Sequence, residues 1–129
     1  MTLAIDSSVL IDFEKDDKQT VKEIKRLSAT FGSLAIPSPA YSEVYFGCLN
    51  KREYLKSKML DFLNSFEFLN TTKESSIKLA ELRKISIETG KQTPLMDLLI
   101  ASIVIANGAT LLTHDKDFEK IKGLDVVVI

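Results

Sequence analysis

The chain has 129 residues, of which 45% are hydrophobic and 27% charged, as is usual for a globular protein. Its net charge of −1 argues against binding nucleic acid through overall charge, so a polyanion would need a local basic patch or a bound metal ion. We find neither a signal peptide nor an apolar run of about 18 residues, and we expect a cytoplasmic protein without a membrane span. The lone Cys48 cannot form an internal disulfide and is predicted to be an inert core thiol.

Short apolar runs alternate with segments whose apolar residues recur at helical spacing. The runs predict five strands, at 3–5, 34–36, 66–69, 109–113 and 125–129. Between them we expect helices at 8–14 and 20–30, a helix from Ser38 that breaks near Asn50, a further helix from Lys51, helices ending at Thr89 and Ala106, and a short turn or helix at 114–122. This alternation predicts one α/β domain, residues 1–129: a three-layer α/β/α sandwich with a central, mostly parallel sheet of about five strands.

Four sequence signals predict where helices begin. Ser7 and Ser8 follow the first strand as a capping turn, and Ser38 and Thr93 each precede a proline, an order typical of an N-cap followed by the first helical position. Thr71 with Glu74 fits a capping box.

Asp6 lies at the predicted carboxyl end of the first strand. Ligands bind at this edge of open α/β sheets, so a carboxylate there either caps a helix or forms part of a site.

Asp97 is the only charged residue between Thr93 and Thr113, within a helix that is apolar nearly all round. Its interaction with the helix N-terminus would contribute about 0.3–1 kcal/mol, whereas an unpaired carboxylate near a core costs several kcal/mol. A bound cation is the simpler explanation.

Asp115 directly follows the fourth strand, and Asp117 is its rival for the same role. Either acid alone would serve as a turn or helix cap. Glu43 lies in the first turns of the helix after the second strand and has apolar neighbours along the chain. We therefore expect Asp6, Glu43, Asp97 and Asp115 to gather at one rim of the sheet.

Such a cluster requires protonation or a divalent cation. Two like charges about 4 Å apart repel by about 4 kcal/mol at an effective dielectric constant near 20. Carboxylate oxygens suit Mg²⁺ or Mn²⁺ rather than zinc, and these ions assist the hydrolysis of phosphate esters. A Gly-rich phosphate loop, a nucleophile elbow and a Cys/His pairing are all missing from the sequence.

The sequence resembles PIN-domain ribonucleases, whose short bacterial and archaeal form is the VapC-type toxin. The similarity spans the whole chain through four ordered motifs, at 5–11, 38–43, 97–101 and 112–118. It implies an endoribonuclease dependent on Mg²⁺ or Mn²⁺ that cuts single-stranded or loop RNA, is inhibited by a small antitoxin and commonly forms a homodimer.

The resemblance assigns three firm metal-binding positions to Asp6, Glu43 and Asp97. Asp115 takes the fourth, more variable position, with Asp117 beside it. Ser8 and Thr113 occupy places where the family often has a hydroxyl near the acids, and they are candidates for orienting them. The candidate RNA contacts are Lys51, Arg52, Lys56 and Lys58. The alternative interpretation is that this run of charges is an ordinary solvent-exposed face.

Two other functions compete with the nuclease. A haloacid-dehalogenase-like phosphatase would use Asp6 as its nucleophile, but Ser8 stands where such enzymes usually carry a second aspartate. A non-catalytic binding module would use the acids only to cap helices. The sequence does not show whether Phe46, Tyr54 and Phe62 lie in the core or on a dimer surface.

Overall fold

A computed structural model describes all residues, Met1–Ile129, and contains one five-stranded sheet. Its strands are β1 (Thr2–Ile5), β2 (Ser33–Pro37), β3 (Glu67–Leu69), β4 (Thr110–Thr113) and β5 (Val126–Val128). The helices are α1 (Ser7–Glu14), α2 (Lys18–Ser28), α3 (Ser38–Phe46), α4 (Glu53–Leu63), α5 (Lys73–Glu88), α6 (Leu95–Ala106) and a 3₁₀ helix, Lys116–Lys120. None of these helices combines the length and hydrophobicity needed to cross a bilayer.

The sheet is entirely parallel, in the order β3-β2-β1-β4-β5, which confirms the predicted architecture. β1 is central: Leu3 lies opposite Leu34 of β2 on one side and Thr110 of β4 on the other. The chain therefore builds outward from β1 first in one direction and then in the other. This reversal creates a switch point beside β1, where α/β proteins bind ligands.

Helices cover both faces of the sheet. Leu3, Ile5 and Leu112 belong to a cluster packed against α1–α4, whereas Ala4 and Leu111 belong to a second cluster packed against α5 and α6. Neighbouring residues thus point to opposite faces, as strand geometry requires. Both faces are buried, which explains why the strands are almost wholly apolar.

The four predicted helix starts are displaced from the residues expected. Asp6, not Ser7 or Ser8, is the N-cap of α1, and its carboxylate accepts a hydrogen bond from the Ser7 N–H. The capping box at α5 pairs Thr72 with Ser75 rather than Thr71 with Glu74, because Thr72 is the last residue with an extended backbone.

Both proline-opened helices begin without a side-chain cap. Pro37 and Pro94 occupy the N-cap positions of α3 and α6, and neither Ser38 nor Thr93 caps its helix. An extended backbone at each proline leads straight into the helix. The first N–H groups of α6 consequently have no capping side chain.

The structure shows which of the side chains left open by the sequence are buried and which are exposed. Cys48 is a free, buried thiol, as predicted. Phe62 packs against the first hydrophobic cluster, with its ring centroid 6.0 Å from that of Phe13. Phe46 and Tyr54 are instead exposed, at 74% and 72% of their surface.

Candidate active site

The carboxyl edge of the sheet collects four acids from four elements. Asp6 directly follows β1, and Asp115 is the second residue after the adjacent strand β4. Glu43 lies on α3, which leaves β2 at the same edge, and Asp97 lies in the first turn of α6, which runs back toward the start of β4. Parallel crossovers thus bring residues far apart in sequence to one rim.

All four acids line one open cavity of about 470 Å³. The other residues of its wall are Ser7, Ser8, His114 and Phe118. Of the predicted site residues, only Asp117 and Thr113 are missing from this wall. Asp117 lies outside, 3.4 Å from the Lys120 ammonium group, and Thr113 lies beneath it.

Asp6 is the most tightly held of the four acids, with only 6% of its surface exposed. Its Oδ1 accepts from the Ser7 N–H at 2.9 Å. Its Oδ2 accepts from Thr113 Oγ1 at 2.7 Å and from Ser8 Oγ at 3.3 Å. These donors satisfy a buried carboxylate and fix its rotamer. Ser8 and Thr113 therefore both donate to an acid of the cavity.

Thr113 also connects Asp6 with Asp115. It is fully buried, and its Oγ1 accepts the Asp115 N–H at 3.0 Å while it donates to Asp6. The Asp115 carboxylate accepts the Asp117 N–H at 2.9 Å and so caps the 3₁₀ helix. Asp115 faces the cavity and Asp117 supports it.

The acids repel one another. Burial, followed by the charges of Asp115, Asp6, Glu43 and, least, Asp117, raises the pKa of Asp97 to about 6. Burial and the charge of Asp6 raise the pKa of Glu43, while the Ser7 side chain opposes this shift. A cavity that holds its acids in this state gains stability from any cation that enters it.

The family is established by comparison with known proteins. The PIN-domain family model matches residues 3–124. The chain belongs to the PIN-domain family. Ribonuclease VapC2 of Rickettsia felis is 34% identical over 101 residues, which are 76% of this chain and 75% of the relative.

Solved structures of complexes share the fold. The VapBC2 complex of Rickettsia felis, bound to a DNA fragment from its promoter, matches with a TM-score of 0.87 and 25% identity, covering 99% of this chain and 98% of that one. VapBC-1 from nontypeable Haemophilus influenzae matches with a TM-score of 0.85 and 20% identity over the same shares of the two chains. The second likeness concerns the fold alone.

The donor set of this PIN domain fits a hard divalent cation. The cavity offers carboxylate and hydroxyl oxygens and one imidazole, and it contains no thiolate. No three of its side chains already stand as a closed metal-binding cluster. Mg²⁺ does not require one, because it keeps several waters and is usually held by one or two carboxylates.

Two residues near the site were missed by the sequence reasoning. His114 lines the cavity, and its Nε2 lies 2.9 Å from Oδ2 of Asp12 on α1. Neither residue had a distinctive pattern, since Asp12 occurs in an ordinary amphipathic helix. The only signal was that His114 stands between two predicted site residues, Thr113 and Asp115.

The candidate RNA-binding cations differ in their surroundings. Lys56 forms an ion pair with Glu53 at 2.7 Å, and this hydrogen bond raises the pKa of Lys56. Lys51, Arg52 and Lys58 are exposed, and none of them forms an ion pair.

Proposed function

We propose that this PIN domain is an endoribonuclease that hydrolyses RNA phosphodiester bonds with the help of Mg²⁺ or Mn²⁺. The observation that carries the proposal is the convergence of Asp6, Glu43, Asp97 and Asp115 on one cavity, where burial and the charges of the other acids raise the pKa of Asp97. The ribonuclease activity named for the Rickettsia felis relative supports the same chemistry.

Each acid has a distinct role in this proposal. Asp6 and Asp97 bind the principal metal ion, and Glu43 binds it or orients its water. Asp115 positions a second ion or the attacking water. A bound divalent ion supplies a water of lowered pKa and neutralises charge on the phosphodiester. Ser8 and Thr113 hold the Asp6 carboxylate toward the cavity through the hydrogen bonds described above.

We also propose that the protein is the toxin of a toxin–antitoxin pair, inhibited by a small antitoxin and forming a homodimer. The structural neighbours are VapBC complexes, which supports the antitoxin. Exposed apolar side chains that suit protein partners are present on α3 and α4, at Phe46 and Tyr54, and on α5 and α6, at Ile87 and Leu95. An RNA substrate and a lone reduced thiol suit the cytoplasm.

The phosphatase alternative has less support. Ser8 stands where such enzymes usually carry a second aspartate, and in the structure its hydroxyl donates to the Asp6 carboxylate instead of serving as an acid. A binding module that uses its acids only as caps explains Asp6 and Asp115, which do cap helices, but leaves the crowding at Asp97 without a purpose.

The direct test is cleavage of a single-stranded RNA by the purified protein with Mn²⁺. We expect Asp6→Asn and Asp97→Asn to lower the rate at least about 100-fold, as loss of a group acting on the transition state does, and chelation to abolish cleavage. Asp61→Asn removes an exposed acid on α4 and should leave the rate unchanged. Cleavage by either site variant at the parent rate would refute the assignment, and a phosphoaspartate trapped at Asp6 would favour the phosphatase.

A further inference from the structure

The side chain of His114 is held at both ring nitrogens. Nε2 lies 2.9 Å from Asp12 Oδ2 on α1, and Nδ1 lies 3.1 Å from the main-chain oxygen of Ile129, just after β5. The ring thus connects the end of β4 with a helix on one side and with the neighbouring strand on the other. We call the two side chains the Asp12–His114 pair.

This pair is inserted in the hydrogen-bond network that holds the acids. His114 stands between Thr113, which donates to Asp6, and Asp115, whose N–H donates to Thr113 Oγ1. The His114 N–H also donates to Ser8 Oγ at 3.4 Å. Thr113 is therefore bonded to Asp6 and His114 to α1, whereas Asp115 is connected to them only through the Thr113 hydroxyl.

Asp115 is otherwise held only through the short 3₁₀ helix that follows. Its carboxylate accepts the Asp117 N–H, and its main-chain oxygen accepts the N–H of Phe118, the one buried residue of that helix, at 3.4 Å. The charges of Asp115 and Asp97 repel each other across the cavity, which favours outward movement of this loop. The contact between His114 and Asp12, which ties this loop to α1, opposes that movement.

We propose that the Asp12–His114 pair positions Asp115 for metal binding, with Asp12 acting entirely through His114 because Asp12 does not reach the cavity. This inference rests on the proposed metal-dependent function. The pair is partly exposed, with 32% of the His114 side chain and 42% of the Asp12 side chain accessible, so its contribution to overall stability is small. Its effect is on the geometry of the loop.

The first test is the affinity for Mn²⁺, measured by calorimetry on the full chain. We expect Asp12→Ala to weaken binding about 10-fold, the lower end of the range for residues that orient metal ligands. Asp12→Asn should restore affinity, because an amide can donate to Nε2 or accept from it. Glu14→Ala removes the same charge from the same helix and should bind Mn²⁺ as the parent does.

The second test asks whether the effect passes through Asp115. In an Asp115→Asn background, Asp12→Ala should cause no further loss of Mn²⁺ affinity, since coupled residues are not additive. Without metal, the Asp115 amide should exchange its hydrogen faster in Asp12→Ala than in Glu14→Ala, while the melting temperatures stay alike.

Unchanged Mn²⁺ affinity in Asp12→Ala, an equal loss in Glu14→Ala, or additive losses with Asp115→Asn would each overturn this inference while leaving the proposed function intact. A parent protein that binds no Mn²⁺ would overturn both.

Discussion

Among single residues, Thr113 does most to fix the relative positions of the site acids. One hydroxyl donates to Asp6 and accepts from the Asp115 amide, with no exposed surface. A side chain of the same shape that lacks the hydroxyl leaves both groups short of a partner.

Thr113→Val is therefore expected to destabilise the protein by about 1–3 kcal/mol, the cost of leaving buried polar groups unsatisfied. Urea denaturation followed by circular dichroism measures the change. Thr113→Ser keeps the hydroxyl and loses only a methyl group, so most of the stability should return. Equal stability of the valine and serine variants would contradict the bridging role.

Asp97 makes stability depend on pH. Its pKa is about 6 in the folded protein, above the ordinary value of 3.8, so between these values the folded state binds more protons than the unfolded state. Stability is then fully present below about pH 4 and is lost as pH rises through 6. Solvent screening at this partly exposed side chain limits the loss to about 1 kcal/mol.

Asp97→Asn should remove this loss. In chelator at pH 7 the variant is expected to be about 1 kcal/mol more stable than the parent, with the difference shrinking toward pH 4. Melting temperatures measured across this range test it. A gap between parent and variant that does not change with pH would show that the carboxylate is not crowded.

Some residues of the site could be predicted from the sequence, and others could not. Asp97 was conspicuous because it is a lone charge in an apolar helix, and Asp6 because it ends a strand; both line the cavity. Asp12 was not predicted, because its importance comes from a contact with His114, 102 positions away, which leaves no local pattern.

At the scale of elements, helix existence was predictable and helix capping was not. The apolar periodicities located all six α-helices, yet each predicted cap was displaced. A cap depends on which residue still has an extended backbone, as at Thr72, and that is decided by the incoming chain. A run of serine and threonine residues contains several possible N-caps, and the sequence alone does not distinguish among them.

We propose that the proposed RNA substrate contacts the turn between α3 and α4. Lys51 and Arg52 are exposed there, and the exposed Phe46 lies one helical turn after the cavity residue Glu43 on α3. Exposed cations with an aromatic side chain are typical of single-strand binding.

Replacing both cations, Lys51→Glu with Arg52→Glu, should raise KM for RNA several-fold with little change in kcat, because phosphate contacts bind substrate without acting on the reacting bond. Steady-state cleavage at two salt concentrations measures this. The control, Lys22→Glu with Lys25→Glu on α2, changes net charge equally and should leave KM much closer to the parent value. An equal rise in both would mean that net charge alone is responsible.

At the scale of the whole molecule, the strand order brings the site together. β1 lies between β2 and β4, so the ends of three neighbouring strands and the starts of α3 and α6 share one rim. The sequence predicted a parallel sheet and hence a common edge for these ends. It did not determine the strand order, because the short apolar strands have no pattern that distinguishes their neighbours.

The proposed function requires a divalent cation in the space between these acids. Anomalous diffraction from crystals soaked in Mn²⁺ would locate such an ion, with Asp97→Asn crystals as the control. We expect a manganese peak in the cavity within coordination distance of the Asp6 and Asp97 carboxylates, and no such peak in the variant. Manganese bound only elsewhere on the molecule, or an unchanged peak in Asp97→Asn, would contradict it.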